Sequence, residues 1–439
     1  MVFSKIAFRN VKKNWRHSVS ALLSLSASFV SLVLFDGYID DIKSMYVESF
    51  HTRSELGDFI IEKPDIYSKQ GIAEPWKFYI QENEQQLLEN FFKKHAALIR
   101  TRVRALDFQG MITNGQQSSI VLGRGSDITE GAIMRREKWS WNATYGIPLY
   151  KAEDANSILI GQGLAKKLGC NWTTVDGFNA AMGGYEPKIR PFNCPQFDLQ
   201  ISTMTYEAQL NALDVSAVGL IDGGYKDIDD SYAISSLTAI QSLLNTKLIS
   251  FVSVELNNPT DYSTMQNLFK NEIQKKIPSL QISRWQEHPS GDVYRRTMEL
   301  LNIFRNFVIV VILIISTLSV INTLIKIIKE RNKEIGTLRS LGFKPREILR
   351  MFIYETFYLS SFGSAIGLIL SLFLTTLLNF IQIKYKAGML SEPVLFRINY
   401  TFESYLTAFI VLTIVGLMAC LFSTRQSLSK RVIENLNHV

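Results

Sequence analysis

Four stretches of the chain are apolar and long enough to cross a bilayer: residues 18–35, 307–325, 352–380 and 401–423. At about 1.5 Å per helical residue, each covers most of a hydrocarbon core roughly 30 Å thick. The pattern changes completely between the first and the second. Residues 58–62 have strand composition, Leu87, Leu88, Phe91, Phe92 and Leu98 recur at helical spacing, and 102–112 return to strand composition. A second set follows Gly223 and Gly224, with strands at 232–234, 251–256 and 280–283 and helices at 237–244 and 260–276. Between the two sets, residues 118–222 are strand-rich, with many glycines, prolines and asparagines. The pattern predicts an α-helical integral membrane protein with four transmembrane helices and a large α+β extracytoplasmic domain, residues 36–306, inserted between helices 1 and 2. Within that domain it predicts a split subdomain (about 50–115 and 223–290), an inserted subdomain (about 118–222) and a helical stalk, 291–306.

Charge sets the expected topology. Residues 1–17 interleave Lys5, Arg9, Lys12, Lys13 and Arg16 with Phe3, Ala7, Val11 and Trp15, the signature of an amphipathic helix at the cytoplasmic interface. Ser26-Ala27-Ser28 imitates a signal-peptide cleavage site, but the apolar run continues past it, which favours an uncleaved anchor. The loop 326–351 carries Lys326, Lys329, Arg331, Lys333, Arg339, Lys344, Arg346 and Arg350, and the tail 424–439 carries Arg425, Lys430 and Arg431. By the positive-inside rule both lie in the cytoplasm with the N-terminus, which leaves 36–306 and the loop 381–400 outside. The net charge of +7 follows from this topology, with no call on nucleic acid as a partner.

The basic loop has more order than topology needs. Ile335, Leu338 and Leu341 share a helical face, Gly342 can stop that helix as its C′ residue, and Pro345 can open the next. The run Glu330-Arg331-Asn332-Lys333-Glu334-Ile335-Gly336, then Leu338-Arg339, Leu341-Gly342, Ile348 and Glu355, resembles the cytoplasmic segment of ABC transporter permeases of the MacB, LolC/LolE and FtsX type. Runs in the outer region are similar to the same permeases: 55–61, 159–169 and Tyr232-Ala233-Ile234. The resemblance implies a coupling helix seated on a separate ATPase, with that role falling on Glu334, Ile335, Gly336, Arg339, Leu341 and Gly342. It further implies an ATPase dimer that binds ATP and magnesium, and a second copy of the permease or a related one. It also implies mechanotransmission in the cytoplasmic (inner) membrane, acting on a lipoprotein or other amphiphile. Two neighbouring expectations are a MacB-like efflux permease with a periplasmic adaptor and an FtsX-like regulator of cell-wall hydrolases.

Other residues add local expectations. Gly363 and Gly367 form a GxxxG pair that lets helices approach closely in lipid, and Glu355, at the edge of the third span, needs headgroups or a helix neighbour. Cys170 and Cys194 fall in the outer region, where an oxidising compartment permits a disulfide, while Cys420 lies apart in a span. No Gly-Lys pair for a phosphate-binding loop occurs in this sequence, the five histidines lack metal-ligand spacing, and no nucleophile elbow is present. No catalytic residue, resident metal or cofactor is therefore expected in this chain, and ATP hydrolysis is expected in a partner.

Overall fold

The computed structural model describes residue 9 and residues 15–173, 188–223, 226–385 and 394–428. Most of the expected N-terminal amphipathic helix, and Lys430 and Arg431 of the tail, fall outside the described residues. The chain divides into two compact units, one made of residues 1–43, 298–383 and 396–439, the other of 44–297 and 384–395.

The first unit is helical. It holds α1 (Trp15–Val47), which continues into the second unit, and there the short π-helical turn Glu48–Arg53 extends it. The helices α2 (Glu82–Lys94), α3 (Leu237–Leu243) and α4 (Tyr262–Phe269) belong to the second unit. The chain then enters α5 (Asp292–Glu330), α6 (Asn332–Ser340), α7 (Pro345–Ile381) and α8 (Phe402–Leu428). Among the described residues four helices are long and apolar enough to cross a membrane, over Val19–Arg53, Pro289–Glu330, Pro345–Ile381 and Phe402–Thr424.

The first helix outruns its apolar stretch. The uncharged run ends at Phe35, yet the helix continues through Asp36 and Asp40, whose carboxylates find partners inside the bundle. Asp36 accepts from Arg305 of α5 and from Ser404 of α8, and Asp40 accepts from Asn399 Nδ2 at 3.0 Å. A buried or interfacial charge is tolerated in a helix when it is paired in this way. Leu25, Phe29 and Val33 of α1 join Leu324 and Ile328 of α5, Phe352 of α7 and Leu412 of α8 in one buried cluster.

The second unit is built on a ten-stranded sheet. In chain order the strands are β1 (Phe59–Glu62), β2 (Ile99–Thr113), β3 (Ser118–Ser126), β4 (Tyr145–Gly146), β5 (Ser157–Gly161), β6 (Asn171–Trp172), β7 (Phe192–Asn193), β8 (Asp198–Met204), β9 (Leu210–Ile221), β10 (Tyr232–Ser236), β11 (Phe251–Leu256) and β12 (Gln281–Arg284). The hairpin β6–β7 stands apart from that sheet, as do β13 (Lys384–Tyr385) and β14 (Val394–Leu395), which pair with each other.

Following the pairings from β2 gives β3, β10, β5, β9, β8 and then β2 again, so six strands close into a ring. The strands β12, β1 and β11 continue from β2 as a flank, and β4 hangs from β9. Alternate side chains point into the ring: Leu106, Phe108 and Ile112 from β2, Val121 from β3, Ile158 and Ile160 from β5, Leu199 and Ile201 from β8, and Val215 from β9, all buried in one core cluster. Gly123 lies opposite Phe108, whose ring sits 2.3 Å from where a Cβ would be, so the glycine makes the space that the phenylalanine fills. Residues 118–222 supply β3, β5, β8 and β9, and these close on β2 and β10 from the flanking halves, so the four strands share one sheet with both halves. Alternation along each strand reveals which side chains are inward, but not which distant strand is the neighbour.

Candidate functional site

The segment between α5 and α7 is shaped by helix-end chemistry. After Ser340, Leu341 is the C-cap and Gly342 adopts φ +95°, the left-handed conformation that glycine enters without a Cβ penalty. Phe343 N–H donates to Leu338 O at 3.1 Å and Gly342 N–H to Arg339 O at 3.2 Å, a Schellman stop. Lys344 then precedes Pro345, and its N–H donates to Glu347 Oε2 at 2.8 Å, which starts α7. Lysine has no acceptor to return the bond, so this is half of a capping box. The turn is therefore short and its exit angle defined.

Arg331, at the junction of α5 and α6, organises the segment. Its Nη1 donates to both oxygens of Glu355 at 2.9 and 3.1 Å, and its Nε donates to Glu334 Oε2 at 3.0 Å. The guanidinium also lies 5.4 Å from the centre of the Phe352 ring. The side chains of Arg331 and Glu355 are only 9% and 3% exposed, so each carries a charge the interior would not accept alone. Burial works against the arginine's charge, but Glu355 and then Glu334 outweigh it and hold its pKa above the ordinary value. One side chain thus ties the end of α5, the first turn of α6 and the body of α7.

The residues expected to couple divide into two sets. Ile335 and Gly336 are buried, and Ile335 belongs to the bundle's core cluster together with Ile328, Ile348 and Phe352. Glu334, Leu341 and Gly342 are exposed, joined by Phe343, while Arg339 is half-buried. The inward pair fastens α6 to the bundle; the outward set is available to a neighbour. The sequence points to Glu334 as a coupling residue and to Glu355 as a packing residue of the third span, but not to Arg331, the residue that brings them together. Two signals were present: Arg331 stands three residues before Glu334, a helical pair, and a carboxylate at the head of an apolar helix needs a cation.

Gly363 and Gly367 lie against α1. A Cβ on Gly363 would sit 2.8 Å from Leu25 Cβ, one on Gly367 would sit 2.6 Å from Phe29 Cβ, and Ser26 Oγ donates to Gly363 O at 2.8 Å. The GxxxG pair is thus spent on packing within the chain. Cys170 and Cys194 are joined by a disulfide at the base of the β6–β7 hairpin, and Cys420 is free and buried. Among the described residues no group of three or more His, Cys, Asp or Glu is placed to hold a metal ion.

Comparison with known proteins bears on the helical unit first. The family described as FtsX-like permease C-terminal matches residues 306–432, a span that contains α6, α7 and the Arg331–Glu355 pair. Residues 306–432 form an FtsX-like permease domain. The chain is also similar to an uncharacterized ABC transporter permease of Methanocaldococcus jannaschii, at 24% identity over 50% of this chain and 54% of that protein. It is similar to the lipoprotein-releasing system transmembrane protein LolE of Haemophilus influenzae, at 22% identity over 74% of this chain and 70% of that protein. The macrolide export ATP-binding/permease protein MacB of Acinetobacter baylyi aligns at 23% identity over 41% of this chain and 26% of its own length. The chain thus spans about half of the archaeal relative and about a quarter of MacB. Among solved structures, the periplasmic region of MacB from Actinobacillus actinomycetemcomitans aligns at 12% identity over 58% of this chain and 95% of that one, with a TM-score of 0.32. With four spanning helices and an FtsX-like domain, the chain is an integral membrane protein.

Proposed function

We propose that this chain is the membrane subunit of an ABC transporter of the FtsX, MacB and LolE type, and that it turns ATP hydrolysis on separate ATPase subunits into movement of its α/β unit. The observation that carries the reading is the fastening of α6. A short helix locked to α5 and α7 by Arg331, with Glu334, Leu341 and Phe343 exposed beyond the lock, can receive a push from a docked protein and deliver it to two spanning helices at once. The FtsX-like domain contains all of these residues. In this reading Glu334, Leu341 and Gly342 meet the ATPase, Ile335 and Gly336 transmit the load, and Arg339 stands between them. The chain is then non-catalytic: ATP and magnesium sit on an ATPase dimer, and a second permease completes the assembly. The basic loop and both termini face the cytoplasm, and the α/β unit lies outside it.

For the substrate we favour a lipoprotein or another amphiphile, because the similarity to LolE extends over 74% of this chain, more than the helical unit alone can supply. The MacB similarity keeps efflux with a periplasmic adaptor as the second reading. The test is Glu334→Lys in the complex purified from native membranes. ATPase still associated and hydrolysing, but with transport-linked stimulation reduced about tenfold, is the expected result. Full coupling in that variant, or a wild-type complex with no ATPase, would overturn the reading.

A further inference from the structure

The ring in the α/β unit is apolar inside; outside, Leu159 and Ile234 are covered by a second apolar cluster, and along one wall large apolar side chains are left exposed. On its outward positions Met111 lies directly opposite Ile120, Gln109 opposite Leu122, Met111 opposite Ser202, and Met204 opposite Leu210. Directly opposed residues share a face and so do residues two apart, so Leu122, Ile120, Met111, Met204 and Leu210 all stand on one face, across β3, β2, β8 and β9. These five side chains are between 50% and 79% exposed. They present on the order of 500 Å² of apolar surface, at the upper end of what a soluble surface normally carries.

The charges on the same outward positions are of one sign. Arg124 is buried and paired with Asp107 at 2.7 Å, which cancels both. Asp198 and Asp214 remain; the first accepts from Ser216 Oγ at 3.2 Å and the second from Gln200 Nε2 at 2.9 Å, so both hydrogen bonds come from neutral groups. Glu207 is exposed in the turn between β8 and β9. The rim is therefore acidic on a chain whose net charge is +7. A second copy of this wall would bring acid against acid. The area is also below the roughly 800 Å² per partner of a stable interface. An anionic lipid surface meets the same repulsion.

We infer that this wall of the ring is a docking surface for a polypeptide segment that presents apolar side chains flanked by lysine or arginine, held transiently. The apolar row supplies most of the affinity, and Asp198, Asp214 and Glu207 supply selection and the on-rate. The inference rests on the α/β unit alone and stands or falls independently of the coupling role of α6.

The experiment uses the full chain in phosphatidylcholine nanodiscs and a fluorescent short peptide of alternating leucine and lysine, followed by anisotropy. Met111→Ser/Ile120→Ser/Leu210→Ser should weaken binding about tenfold or more, while thermal unfolding is unchanged, because all three side chains are exposed. Asp198→Asn/Asp214→Asn should weaken it about threefold and flatten its salt dependence. Equal binding by a leucine and glutamate peptide, or unaltered binding by the triple serine variant, would overturn the inference. Self-association that the serine variant abolishes would reassign the wall to a second copy, and displacement of the peptide by a fatty acid would reassign it to lipid; either result overturns the proposal.

Discussion

In the helical unit the large outward side chains are apolar on every long helix, from Leu23 through Phe307, Ile314 and Phe373 to Phe422, while Arg331, Glu355 and Ser371 are buried and hydrogen-bonded. In the α/β unit the ring is filled by Phe108, Ile112, Val121 and Ile201, and the outward positions of the same strands include Asp107, Gln109, Ser118 and Gln200 beside the wall of methionine, isoleucine and leucine. One chain thus follows two opposite rules for what goes inside. The difference marks a change of solvent: hydrocarbon rewards polar groups that satisfy one another internally, and water rewards apolar groups that hide. Apolar exposure is ordinary on α5 and needs a separate explanation on β2.

The comparison can be broken most forcibly at its buried charges. Arg331→Ala leaves Glu355 inside the bundle without its cation, and a loss of about 3–5 kcal/mol is expected, read as thermal unfolding of the purified chain in detergent. The double variant Arg331→Met/Glu355→Leu should recover most of it, since an apolar pair of similar volume removes both desolvation costs; equal damage in the double variant would mean that the pair does more than neutralise. Next in size is a cation placed on the outside of each unit. Ile314→Lys on α5 should cost about 2.5–3.5 kcal/mol of membrane insertion, measured by glycosylation mapping. Gln109→Lys on the ring's outer face should stay within about 0.5 kcal/mol by thermal unfolding. Similar costs at the two sites would erase the contrast of solvents. A smaller loss than those at Arg331 and Ile314 is expected inside the ring: Gly123→Ala presses a methyl group on Phe108, with about 1–2 kcal/mol lost, and Phe108→Leu in the same chain should return part of it.

What could be read from the residue order follows from the range of each interaction. The stop at Gly342 and the restart at Pro345 are local, and the Schellman bonds at Phe343 and Gly342 fall where those residue types require. The strands at 232–236, 251–256 and 281–284 and the helices between them are likewise local patterns, and they lie where alternation and helical spacing placed them. The Arg331–Glu355 pair spans 24 residues and two helices, so nothing in the local pattern names the partner. The division of α6 into an inward Ile335 and an outward Leu341 depends on which side the bundle lies. Closure of the ring was the least legible feature, because β8 finds β2 across 85 or more residues and the register is set by side chains that meet only after folding.

The closed ring also governs how this chain can be made. Synthesis delivers β2 and β3 early, and the strand that stands between β3 and β5 is the last to appear, at 232–236. Until then the ring is an open sheet with unpaired edges on both sides of the gap, and the wait is long by the standards of helices formed from neighbouring residues. A nascent chain that already carries α1 must therefore hold an unfinished β-sheet, in need of shelter from other chains, until one short strand arrives.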